Sequence, residues 1–146
     1  MKILLLDIDY TTFHESTPRP FLKEFLERVT GQYNVYFFTA ARHQRITEVC
    51  RILYHQLKLS DDIVQKMNRY SLSRDNCPMI SHRTDLGGYI DVKCLRKAAE
   101  VLGVDISEIL LIDDAPIYDN PDRDYRIQAP GFSGNPEDKY LLTLLL

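Results

Sequence analysis

The sequence predicts an α/β fold, a central, mainly parallel sheet flanked by helices, and three observations lead there. Apolar runs of strand length, within residues 2–6 and in "EILLIDD", read as strands covered on both faces. Between such runs lie stretches with apolar residues at helical spacing, punctuated by proline and glycine. Strand and helix alternate with no repeat and no low-complexity linker, the order of a sheet built from strand–helix–strand units. The 146 residues suit a single domain, 1–146, with interior enough for a core.

Each element has its own reason. Residues 2–6 are the first strand. "TPRPFLKEFLERVTG" opens on prolines, closes on Gly31 and carries Phe21, Leu22, Phe25, Leu26 and Val29 as one helical stripe. Tyr33 to Thr39 is the second strand. A helix follows from Arg42 to about Lys58, with Ile46, Val49, Leu53 and Leu57 on one face. The stretch 59–90 is less regular, with turn residues Pro78, Gly87 and Gly88 and a possible strand in "NRYSLS". "DVKCLRKAAEVLG" reads as a helix with Asp91 as N-cap, Leu95, Ala98, Ala99 and Leu102 as the stripe, and Gly103 as the stop. "EILLIDD" is a further strand, "YRIQA" a short edge strand, and "PEDKYLLTLLL" a closing helix.

Composition narrows the function classes. Apolar residues at 45% and charged residues at 27% describe a soluble globular chain. A net charge of −3 gives no support for nucleic-acid or membrane binding. The apolar start is too short for a signal-peptide core or a membrane span. Cys50, Cys77 and Cys94 are odd in number and widely spaced, which fits a reduced, intracellular and cytoplasmic setting (a nuclear one stays open) and inert packing.

The chemistry gathers at the strand ends. In open parallel sheets, ligands bind beyond the carboxyl ends of the strands. Three strands here end in polar residues: Asp7 and Asp9, Thr39, and Asp113 with Asp114. Lys93, placed in the first turn of a helix, opposes the helix macrodipole and calls for an anion in front of it. Four acids in one place repel one another and raise each other's pKa, a conflict that a divalent cation removes. Oxygen-only ligands suit Mg²⁺. Together the cation, a lysine and a hydroxyl make a site for a phosphoryl group, with one carboxylate to attack phosphorus and another to move protons. A lone "DxD" is common and often only a turn or a cap. The joint order carries the reading: DxDxT, then strand–Thr, then helix-start Lys, then strand–DD.

These residues resemble the haloacid-dehalogenase-like (HAD) phosphohydrolases. "DIDYT", "VYFFT", Lys93 and "LLIDD" are similar to that family's four motifs in order. Within it, the chain is most similar to the branch of RNA polymerase II C-terminal-domain phosphatases and their small relatives (FCP/SCP type). "RPFLKEFLERV", "SRDNC", "YIDVKCL", "IDDAP" and "APGFSGNPEDKYLLTLL" resemble successive segments of that branch, leaving only about 54–70 and 79–88 unmatched. The resemblance implies a HAD-like Rossmannoid fold, capless or with only a short insert at about 59–90. It further implies a Mg²⁺-dependent phosphomonoester hydrolase. Asp7 would be the nucleophile and Asp9 the acid and base. Thr39 and Lys93 would hold the phosphoryl oxygens, with Arg74 close to the substrate. The Asp7 carboxylate, the Asp9 carbonyl and Asp114, with Asp113 nearby, would hold the metal. The implied partner is a phosphorylated substrate, a phosphoserine or phosphothreonine protein before a small molecule. Tyr10, Thr12 and Ala115 depart from the branch's usual Glu, apolar residue and Ser.

Other readings stand beside this one. Receiver-domain switches use the same residue types, but their lysine comes last, whereas here "DD" follows it. A catalytically idle interaction module has no need of both Asp7 and Asp9. Arg42, His43 and Arg45 either approach an anionic substrate or form a solvated helix face, and His14 is a candidate for the site mouth.

Overall fold

The computed structural model describes residues 2–84, 86–116 and 122–145. In chain order its elements are β1 (Ile3–Leu6), β2 (Phe13–His14), β3 (Thr17–Pro18), α1 (Leu22–Val29), β4 (Asn34–Phe37), α2 (His43–His55) and α3 (Asp61–Tyr70). Then come β5 (Ile80–Arg83), β6 (Tyr89–Val92), α4 (Leu95–Leu102), β7 (Ile109–Asp113), β8 (Arg126–Gln128) and α5 (Tyr140–Thr143). Four strands form one parallel sheet in the order β4-β1-β7-β8. The α/β reading from sequence is the fold observed.

Strand alternation sorts the core into two layers. Leu4 and Leu6 of β1, Val35 and Phe37 of β4, and Ile112 of β7 face one side. There they pack with Leu22, Phe25 and Leu26 of α1, Ile46, Val49 and Leu53 of α2, Val64 and Met67 of α3, and Leu141 of α5. Ile3 and Leu5, with Ile109 and Leu111, face the other side and pack with Leu95, Ala98 and Ala99 of α4. The same parity carries past the strand ends. Asp7 continues the Ile3–Leu5 face and Asp113 the Ile109–Leu111 face, so both acids emerge on the side of α4. Register makes them neighbours, since Leu6 pairs with Ile112 and the Asp7 N–H donates to the Ile112 carbonyl at 2.9 Å.

Three local expectations are corrected. "NRYSLS" is not a strand: α3 runs to Tyr70, and only Leu72 bridges to Phe38. The start signals of that helix lie upstream, in the Ser60 cap on the Ile63 N–H and the acidic pair Asp61 and Asp62. Asp91 is no N-cap, because Tyr89–Val92 pairs antiparallel with Ile80–Arg83, β-branched Ile90 and Val92 suiting a strand. Helix α4 therefore begins at Leu95, and Lys93 precedes it instead of lying in its first turn. The closing helix is a single turn, Tyr140–Thr143. Among the described residues, the insert between α3 and α4 forms one sheet of its own, the β5–β6 hairpin.

Candidate active site

The turn after β1 is unusually tight. The Thr11, Thr12 and Phe13 N–H groups all donate to the Ile8 carbonyl, and Tyr10 takes a left-handed φ of 65° to allow it. A bulky residue there costs about 1 kcal/mol or more, so the surrounding bonds must hold it. They aim the Thr11 hydroxyl back at the strand ends. It accepts from the Asp114 N–H at 2.9 Å and lies 3.0 Å from Asp7 Oδ2 and 3.2 Å from Asp114 Oδ1. Arg19, wholly buried, grips the same turn. It donates to the Thr11 carbonyl at 3.0 Å, pairs with Asp138 through two nitrogens at 2.8 and 2.9 Å, and lies over the Tyr140 ring.

Lys93 reaches the strand ends from the α4 side. Its Nζ lies 2.6 Å from Asp7 Oδ1 and 2.8 Å from Asp113 Oδ2, and 5.8 Å from the centre of the Phe38 ring. Arg126 fixes the lysine backbone, its Nη2 donating to the Lys93 carbonyl while the guanidinium also holds Asp122. Asp122 in turn accepts from the Leu95 N–H at 3.2 Å, tying down the start of α4.

Burial sets the electrostatics. It pushes the Asp7 carboxyl well above the usual carboxylate range, against the pull of the Lys93 ammonium, and the Asp113 charge adds to the rise. Burial also opposes ionisation of Asp113, but there the Lys93 ammonium prevails and the carboxyl sits below its ordinary value. For Lys93 itself, burial favours the neutral amine, and the two carboxylates together outweigh it, raising its pKa. One ammonium thus serves two acids, and Asp7 is the one left short of positive charge.

Carboxylate oxygens of Asp7, Asp113 and Asp114 lie within 4.8 Å of one another and could hold a metal ion. Three carboxylates against one ammonium leave two negative charges, so the donor set fits a divalent cation, and all-oxygen ligation favours a hard one. Asp9 stands apart from that trio. Its carboxylate is 44% exposed and receives Arg45 Nε at 3.2 Å and Nη2 at 2.9 Å, both on Oδ1.

A cavity of about 360 Å³ joins these groups, lined among others by Asp7, Asp9, Thr39, Lys93, Asp113, Asp114, Met79 and Ile90. Thr39 is buried at its floor, its Oγ1 accepting from the Ala41 N–H at 3.1 Å. Six of the seven residues singled out from sequence therefore share one cavity. Arg74 does not line it. Its backbone N–H is bonded to the Ala41 carbonyl at 2.9 Å, and the residue is exposed. His14 packs against Tyr10 with the rings tilted, 5.6 Å between centroids, instead of lining the cavity. Arg42 is engaged with Asp75 on the surface at 2.8 Å. Burial pushes the Cys50 thiol up to about 12, which agrees with inert packing. A hollow of about 410 Å³ beside Lys93 and Arg126 is lined by apolar Ile80, Val92, Ile106 and Tyr125 together with His82, Arg96 and Asp122 among others, and the three clustered acids do not face it.

The family model described as "NLI interacting factor-like phosphatase" matches residues 2–146. The chain belongs to that family. A curated relative, the CTD small phosphatase-like protein 2 of Dictyostelium discoideum, is 25% identical over 166 aligned residues that take in 97% of this chain. The match covers 26% of that relative, so the chain spans about a quarter of its length. Among solved structures, fission yeast RNA polymerase II CTD phosphatase Fcp1 bound to beryllium fluoride superposes with a TM-score of 0.60. That match covers 90% of this chain and 42% of the other at 18% identity, a likeness of fold. The phosphatase family implies a divalent metal, in keeping with the three clustered acids.

Arg19 and Arg126 are residues of this phosphatase-family site to which the sequence alone gave no role. Arg45, read from its nearness to Thr39 as approaching an anionic substrate or lying on a solvated helix face, instead pairs with Asp9 and is largely buried.

Proposed function

We propose that the protein is a Mg²⁺-dependent phosphomonoester hydrolase working through an aspartyl-phosphate on Asp7, with phosphoserine or phosphothreonine in a protein as substrate. One observation carries it: Lys93 bridges Asp7 and Asp113 at 2.6 and 2.8 Å beside Asp114, at the ends of adjacent parallel strands. Asp7 and Asp114, with the Asp9 carbonyl and Asp113 nearby, would hold Mg²⁺. When bound, the ion supplies positive charge for the phosphoryl oxygens and for an otherwise under-compensated Asp7.

In the first step an Asp7 carboxylate oxygen bonds to phosphorus as the ester oxygen leaves, and Asp9 gives that oxygen its proton. In the second, water attacks the aspartyl-phosphate, Asp9 takes the water's proton, and phosphate departs from a restored Asp7. Thr39 and Lys93 steady the phosphoryl oxygens through both. The Asp9 exposure of 44%, with an insert whose described residues form a single two-stranded hairpin, supports a phosphate displayed on a macromolecule. The CTD phosphatase names of both relatives support a protein substrate.

Asp7→Asn tests the centre of this reading. Turnover of p-nitrophenyl phosphate with Mg²⁺ should fall on the order of 10⁴-fold or more, as when a covalent nucleophile is removed. Mass spectrometry after rapid acid quench should detect a phosphoenzyme in the parent protein and none in the variant. Substantial residual turnover by Asp7→Asn would sink the assignment.

A further inference from the structure

We infer that Arg45 is a positioning residue that fixes the proton-carrying oxygen of Asp9, an inference resting on the acid–base role just proposed for Asp9. Both contacting nitrogens of the guanidinium, Nε and Nη2, meet a single oxygen, Oδ1, at 3.2 and 2.9 Å. No described residue donates to Oδ2. The carboxyl is thereby made unsymmetrical, with Oδ1 saturated by positive donors and Oδ2 available to carry the proton to the leaving oxygen and take one from water.

The guanidinium is itself anchored. Its Nη2 also donates to the Glu15 carbonyl at 2.6 Å, and Nη1 to Glu48 at 3.2 Å. The Arg45 side chain is only 16% exposed, in contrast to that of Arg42, three residues earlier, at 75%. Two segments that must keep their distance for catalysis are joined this way: the turn after β1, which carries Asp9, and the first turn of α2, which follows Thr39. With four bonds Arg45 has little freedom to turn toward a substrate anion, which separates it from a phosphate-binding arginine. A half-exposed carboxylate without such an anchor would sample several rotamers even on a tight turn, and misplacement by about 1 Å costs roughly 10²-fold in rate.

The experiment compares Arg45→Met, Arg45→Lys and Asp9→Asn on two esters, p-nitrophenyl phosphate and a phosphoserine peptide, with melting temperatures confirming folded protein. The nitrophenolate leaves without a proton, whereas the serine alkoxide needs one. Arg45→Met should lower kcat on the phosphopeptide at least about 10-fold more than formation of the phosphoenzyme from p-nitrophenyl phosphate, with KM little changed. Arg45→Lys, able to keep one bond to Oδ1, should recover part of the loss. Added to Asp9→Asn, Arg45→Met should have no further effect on kcat. A rise in KM for both esters at constant kcat would make Arg45 a substrate-binding residue, and equal losses in phosphopeptide kcat and in phosphoenzyme formation from p-nitrophenyl phosphate would make it merely structural; either overturns the inference. If Asp9→Asn itself fails to distinguish the esters, the role of Asp9 falls and the inference with it. If Asp9→Asn distinguishes them and Arg45→Met does not, the inference alone fails.

Discussion

Two sides of one cavity are built differently. At the strand ends, Asp7, Lys93 and Asp113 are each less than a tenth exposed and hold one another at 2.6 and 2.8 Å. Facing them, β6 contributes Ile90 and Val92 to the cavity wall, beside Met79 just before β5, but the hairpin presents Leu86 and Tyr89 to solvent at 99% and 70% exposure. The first side owes its geometry to sheet register, backed on both faces by packed helices. The second is a pair of four-residue strands hydrogen-bonded mainly to each other. Bond-making chemistry needs groups fixed to fractions of an ångström, and a packed sheet end supplies that. Partner recognition tolerates a surface that can be altered without disturbing the core.

Lys93→Met should break this contrast most severely. It leaves Asp7 and Asp113 buried without their shared ammonium, and removing one partner of a buried ion pair costs roughly 3–5 kcal/mol. Activity should fall about 10²-fold or more, since the group proposed to steady the phosphoryl oxygens is also lost. Mg²⁺ should then raise the melting temperature of Lys93→Met more than that of the parent, because the uncompensated acids gain more from a cation. Equal Mg²⁺-induced shifts in thermal melts would show that the cation does not share this charge cluster.

How much of this was legible in the sequence follows from range. Apolar runs ending in acids announce both the strands and the site, because period-2 alternation carries Asp7 and Asp113 to the α4 side without any tertiary information. Lys93 was found by its order in the chain, but its element was misread, since β6 pairing depends on β5. The start of α3 is written in Ser60, Asp61 and Asp62, upstream of the "NRYSLS" stretch that reads as a strand from sequence but begins within that helix. Arg45 was visible as a helix residue near Thr39, but its partner is fixed by the left-handed turn at Tyr10. Arg19 and Asp138 are 119 residues apart, and no local pattern reports a contact at that separation.

A moderate effect is expected where that long-range pair braces the site. Asp138→Asn leaves the buried Arg19 guanidinium one anionic partner short, a loss of about 2 kcal/mol for hydrogen bonds to a charged group. The Arg19 hydrogen bonds hold the Asp138 carboxyl below its ordinary range, with burial opposing. A depressed folded-state pKa gives stability that is present above the unfolded value, about 4, and is lost as pH falls through the folded value. The difference between parent and Asp138→Asn in urea unfolding should therefore be full at pH 7 and shrink below pH 4. A difference independent of pH would assign the effect to packing of the stacked Tyr140 instead of to charge.

The smallest effect should come from the hairpin. Leu86 is 99% exposed, so Leu86→Ser removes a side chain already in water and should change stability by no more than about 0.5 kcal/mol. Hydrolysis of p-nitrophenyl phosphate should be unaltered as well, since the small ester needs only the strand-end groups. A phosphopeptide long enough to lie along the hairpin is different. Loss of one peripheral apolar contact should raise its KM by less than about 5-fold with kcat unchanged, corresponding to under 1 kcal/mol. A clear drop in melting temperature would mean that the hairpin tip packs against something that its exposure does not reveal. A parallel fall with both substrates would mean that the hairpin acts through Val92 on the adjoining Lys93. In that case the two sides of the cavity would be a single mechanical unit, and the contrast between rigid chemistry and adjustable recognition would have to be given up.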